Sequence, residues 1–115
     1  MPQREARAYL RDIIDACEAI ARFAEGADYQ RYLSDDMLRS AVERQLFIIG
    51  EAVNSVRRLE PLEVHTLGDV QGIVDVRHIL AHSYFGVKHD LIWDIVTLHV
   101  ERLRLAAQGW FDSTR

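Results

Sequence analysis

The side chains with the clearest chemical capacity fall in one stretch, DVRHILAHSYFGVKHD, residues 75–90. It holds Arg77, His78, His82, Tyr84 and His89. Arginine is permanently charged and grips phosphate oxygens through a planar fork. Histidine titrates near neutrality, so it can take a proton and return it. Together these groups suit phosphodiester cleavage without a metal. In RNA the 2′-hydroxyl is an internal nucleophile beside the phosphorus. A base removes its proton, a cation stabilises the charged transition state, and an acid protonates the leaving oxygen. A second chemistry remains open, since His78-x3-His82 places two imidazoles on one helical face, with Asp75 or His89 as a third zinc ligand. Against it, no HExxH arrangement and no cysteine cluster occurs in the chain. His65 and His99 read as a loop histidine and a packed or capped helix histidine.

Helical geometry constrains how these groups meet. Arg77 and Tyr84 are seven residues apart and share a face. His82 lies about 140° from Arg77 on a regular helix. One chain therefore converges Arg77 and His82 poorly. Either the helix unwinds near Gly86 or a second copy of the chain supplies the missing group across a twofold axis.

The surrounding elements read as helices. The chain has two prolines and six glycines, and it shows no strand-like alternation, low-complexity tract or internal repeat. A first helix is expected over residues 3–24, with a stripe of Ala6, Leu10, Ile13, Ile14, Cys17, Ile20 and Ala21. Gly26 is placed to end it in a left-handed conformation. YQRYL forms a short turn with helical character. A second helix opens at Ser34 as N-cap, with Asp35 and Asp36 at the positive end of its dipole. Its stripe is Leu38, Val42, Leu46, Ile49, Val53 and Val56, and Pro61 blocks its continuation. Gly50 inside this helix costs about 1 kcal/mol relative to alanine, a cost consistent with close helix packing. A third helix is expected from Thr66 to Ser83, its first turns weakened by Gly68 and Gly72. A fourth, capped by Asp90, covers 91–107 through Ile92, Ile95, Val96, His99 and Leu103. Trp93 and Leu98 widen its apolar surface beyond one stripe, which implies a second buried face and a dimer through the last two helices. The sum is an all-α up-down bundle of four to five helices.

Composition narrows the function classes. At 115 residues one domain spanning 1–115 is expected. The net charge of −4 argues against broad coating of nucleic acid, which needs many phosphate contacts, though not against a local basic site. Thirteen of the 14 basic residues are arginine, a bias that coding preference can also produce. No apolar run approaches the roughly 18–20 residues of a spanning helix, and the start MPQREARAYLRD lacks the apolar core of a signal peptide. A cytoplasmic protein with no membrane contact is the expectation. Cys17 is the sole cysteine and falls in an apolar stripe, so it reads as a buried thiol.

The segment RHILAHSY resembles the Arg-x4-His-x-Tyr motif of HepT-like proteins, a branch of the HEPN superfamily. SDDMLRSAVERQLFIIGEAVNSV, with its IGEA run, resembles that family's second helix. GVKHDLIWDIV and YLRDIIDACEAI resemble its segments after the motif and at the start, so the likeness covers nearly the whole chain. One departure is His78, where the family usually has asparagine. The resemblance implies a HEPN-type helical bundle that forms a homodimer. It implies a ribonuclease toxin that needs no metal or other cofactor and acts on RNA in a composite dimer cleft. It also implies a cognate nucleotidyltransferase antitoxin that adenylylates the motif tyrosine. On this resemblance Arg77 and His82 are the catalytic pair, His78 a supporting residue and Tyr84 the modified one. The alternative is a non-catalytic HEPN module that binds nucleotide or supports a nucleotidyltransferase.

Overall fold

The computed structural model describes residues 4–82 and 89–114, with the backbone alone at Ala81 and His82. Six α-helices follow in order: α1 (Ala6–Ala24), α2 (Tyr29–Ser34), α3 (Asp36–Leu59), α4 (Val70–His82), α5 (His89–Leu98) and α6 (Val100–Ser113). A 3-10 turn at Val64–Leu67 precedes α4. No strand occurs among the described residues, so the chain is all-α, as the periodicity requires.

The one-sided stripes bury as patterned. Leu10, Ile13, Ile14, Cys17 and Ile20 of α1 are fully inaccessible, and Leu38, Val42, Leu46, Ile49, Val53 and Val56 of α3 are buried with them. Ala6 is only half-buried and Ala21 is exposed, so the α1 stripe is narrower than its spacing indicates. Helix α1 lies against α3 and α6, and α3 against α4. Enclosure of Cys17 pushes its thiol up to about 12, because burial disfavours the thiolate. Gly26 takes φ +73° just beyond α1, the left-handed stop expected of it.

Three boundaries differ from the sequence expectation. Helix α1 starts at Ala6, not residue 3. Ser34 does not cap the second long helix; it is the last residue of α2. Asp35 caps α3 instead, its carboxylate accepting from the Leu38 amide at 3.0 Å. That bond, and the Arg31 side chain beside it, hold the Asp35 carboxyl below its usual value. Thr66 does not begin the third long helix, because Gly68 at φ +109° breaks the chain direction after the 3-10 turn. Helix α4 then starts at Val70, with the Asp69 carboxylate accepting from the Gly72 amide at 3.0 Å.

The expected fourth helix is two helices. Asp90 sits in the first turn of α5 and does not cap it, and α6 runs on to Ser113. His99, expected within the stripe, is exposed at the junction, while Val100 and Ala107 are buried. No proline or glycine causes the break. The Thr97 hydroxyl donates to the Trp93 carbonyl at 3.0 Å and to that of Asp94 at 3.4 Å, and such back-bonding bends helices. Helix α2 is tied in through Tyr32, which is fully buried and stacks on Trp93 at 5.2 Å. None of the described helices is long and apolar enough to cross a membrane.

Candidate functional site

Arg77 lies on α4 where that helix crosses α3, and Gly50 makes the crossing possible. A Cβ at position 50 would overlap the Arg77 Cβ and sit 3.0 Å from its Cγ and 3.4 Å from its Cα. The missing side chain of Gly50 is therefore the space in which the base of Arg77 rests. This confirms close packing as the reason for a glycine in the middle of a 24-residue helix.

The tip of Arg77 is held by the next residue of α3. Its Nη1 donates to Glu51 Oε1 at 2.5 Å, an ion pair whose side chains are 27% and 50% exposed. Its Nε is buried and has no hydrogen-bond partner among the described residues. Glu51 was not singled out by reading the sequence. The only local signal was its place directly after the one glycine of α3, within the IGEA run.

The start of α4 is fixed by a second set of contacts to α3. Arg57 donates through Nη2 to Asn54 Oδ1 at 2.6 Å and through Nη1 to Gln71 Oε1 at 3.2 Å. Gln71 Nε2 in turn donates to Asp75 Oδ1 at 2.8 Å. Helix α4 is thus anchored to α3 both at its first turns and at Arg77.

His78 is exposed on the turn that carries Arg77. His82 is the last residue of α4; its side chain, and all of Tyr84 and Gly86, lie outside the described residues. Because α4 stays helical through His82, Arg77 and His82 are about 140° apart around the helix and about 7.5 Å apart along it. The two residues do not share a face of one chain.

Asp75 and His89 are the residues suggested as a third metal ligand beside His78 and His82. Asp75 accepts from Gln71. His89 opens α5, meets Tyr32 edge-on at 5.9 Å, and has its Nδ1 4.0 Å from Glu43 Oε1. Among the described residues, no three His, Cys, Asp or Glu side chains form a set that could hold a metal. An apolar groove between α1 and the α5–α6 pair, lined by Ala21, Ala24, Trp93, Val96 and Thr97, includes neither Arg77 nor His78. Burial raises the Tyr32 hydroxyl above its usual value, and that hydroxyl has no partner among the described residues.

Comparison with known proteins converges on one family. The sequence model of the ribonuclease HepT-like family matches residues 13–108. A Methanocaldococcus jannaschii protein provisionally named an RNase is 33% identical over 104 residues, covering 90% of this chain and 94% of its own. A Thermococcus cleftensis protein provisionally named ribonuclease HepT is 33% identical over 117 residues, covering 98% of each chain. No solved structure gives a significant match. With that match spanning most of its length, the chain belongs to the ribonuclease HepT-like family.

Proposed function

We propose that this protein is a metal-independent endoribonuclease acting at a composite site formed by two copies of the chain. The observation that carries the reading is the placement of Arg77: its base is wedged over Gly50 and its tip is gripped by Glu51. A phosphate-binding arginine needs such preorganisation, since a fixed cation stabilises developing charge without reorganising during the reaction. The relatives named as RNases supply the substrate class.

In the proposed reaction His82 takes the proton of a 2′-hydroxyl, whose oxygen attacks the adjacent phosphorus. Arg77 neutralises the charge gathering on the non-bridging oxygens. The bond to the 5′-oxygen breaks as that oxygen receives a proton, leaving a 2′,3′-cyclic phosphate and a 5′-hydroxyl. Base and acid stand on opposite sides of the phosphorus in such a displacement. Each chain supplies one His82, which stands about 140° from Arg77 around the helix, so a twofold partner contributes its own motif, and its His82 gives the proton to the leaving oxygen. Ile79, Leu91, Leu98 and Leu105 are exposed apolar side chains on α4, α5 and α6, and they are the material for that contact. His78 supports the site from the exposed side of α4.

The finer reading is a toxin held silent by a partner nucleotidyltransferase that adenylylates Tyr84. An adenylyl phosphate there would compete with substrate phosphate for Arg77 and obstruct the cleft.

The test is cleavage of a labelled RNA by purified protein and its variants. His82→Ala and Arg77→Ala should each lower the rate by about 10²–10⁴. Arg77→Lys should recover part of it, because lysine lacks the fork, and His78→Ala should be milder. Full activity in both alanine variants would reject the assignment. No cleavage by the unmodified protein would favour a non-catalytic nucleotide-binding module.

A further inference from the structure

We infer that Glu51 is a positioning residue for Arg77, setting the direction in which the guanidinium meets the scissile phosphate. The inference rests on the ribonuclease reading of Arg77. A free arginine side chain samples many rotamers, and each order of freedom lost before substrate arrives is gained in the reaction. Here two neighbouring residues of α3 remove that freedom from opposite ends. Gly50 receives the Cβ and Cγ of Arg77, and Glu51 takes its Nη1 at 2.5 Å. With base and tip fixed, the plane of the guanidinium is fixed. Nη2 is then the group left to meet a phosphate oxygen. Glu51 is half-exposed, so its carboxylate is open to solvent beside the guanidinium it holds.

The position of Glu51 gives its role a signature. A carboxylate beside a phosphate-binding arginine repels the substrate's own charge. It therefore lowers ground-state affinity while holding the arginine where the transition state needs it. Removing it should slow turnover without weakening RNA binding, the pattern of an interaction used in the transition state and not in the ground state. A residue that only stabilised the α3–α4 contact would lower both together, along with the unfolding midpoint.

The experiment compares unmutated protein with Glu51→Ala and Glu51→Gln in excess chelator. Turnover is read on a labelled RNA oligonucleotide, and affinity on the same sequence with 2′-O-methyl groups, which cannot be cut. Glu51→Ala should lower kcat by about 10²-fold, the cost of an angstrom-scale misplacement, with affinity for the 2′-O-methyl oligonucleotide unchanged or tighter. Glu51→Gln keeps an oxygen that accepts from Nη1 and should recover most of the turnover. Undiminished turnover in Glu51→Ala overturns the inference, and so does a parallel fall in turnover, affinity and unfolding midpoint. If the unmutated protein cuts RNA and Glu51→Ala cuts it equally well, the positioning role alone is rejected. If the unmutated protein does not cut, the ribonuclease reading falls and this inference falls with it.

Discussion

Replacing Gly50 by alanine adds a single methyl group where α3 meets α4, and the structure sets both terms of its effect. Alanine is favoured over glycine in a helix interior by about 0.5–1 kcal/mol. Against that gain, the new methyl would overlap the Arg77 Cβ and sit 3.0 Å from its Cγ. Backbone-linked atoms of a packed helix yield little, so α4 must withdraw by on the order of 1 Å, and such overpacking costs about 1–3 kcal/mol. The net expectation is a loss of about 0–2.5 kcal/mol, or at most about 10 °C in unfolding midpoint for a domain of this size. Gly109→Ala is the internal control. It too lies inside a helix, but a Cβ there meets nothing within 4 Å, so it should stabilise by about 0.5–1 kcal/mol. The difference between the two variants, measured by denaturant unfolding, isolates the contact at about 1–3 kcal/mol. Because the displaced residue is Arg77, RNA cleavage should fall by about 10²-fold even where the protein remains folded. Equal stabilisation by both alanines, with full activity at position 50, would refute the claim that Gly50 seats Arg77.

Two further outcomes are expected. Sedimentation at micromolar concentration should give a homodimer, and Leu98→Glu or Ile79→Glu should shift it toward monomer and reduce RNA cleavage in step; a fully active monomer would remove the composite site. Tyr84→Phe should leave cleavage intact but abolish the mass increase expected on co-expression with the proposed nucleotidyltransferase partner. An adenylyl adduct that persists in that variant, or maps to Tyr9, Tyr29 or Tyr32, would show that Tyr84 is not the switch.

The parts of the fold legible from sequence are those where one local rule acts alone. The α1 and α3 stripes were visible because each helix buries one face. Gly26 was visible because a left-handed stop favours glycine. The misplaced boundaries come from rules in competition. Ser34 and Asp35 are both good caps, and the chain resolves them by ending one helix on the first and opening another with the second. The break at His99 lies two residues past Thr97, whose hydroxyl bonds back to Trp93 and Asp94, in a stretch whose apolar spacing runs on uninterrupted. At the candidate site, the angular separation of Arg77 and His82 followed from spacing alone, whereas their roles rest on the family resemblance. Glu51 did not, because its partner lies 26 residues away on another helix and an exposed acid on a long helix looks like any other. His99 and Ala21 were assigned to buried stripes by periodicity, yet both are exposed, because the outer edge of a stripe is decided by what packs over it.

In the proposed reaction Arg77 and His82 cleave RNA through the 2′-hydroxyl without a metal. The direct measurement is the chemical identity of the ends formed when purified protein cuts a defined RNA in excess chelator. Attack by the 2′-hydroxyl requires 2′,3′-cyclic phosphate and 5′-hydroxyl ends, no cut at a site where the 2′-hydroxyl is replaced by hydrogen, and loss of cutting in His82→Ala. Products with 5′-phosphate and 3′-hydroxyl ends, or cleavage that chelator abolishes and a divalent metal restores, would contradict it.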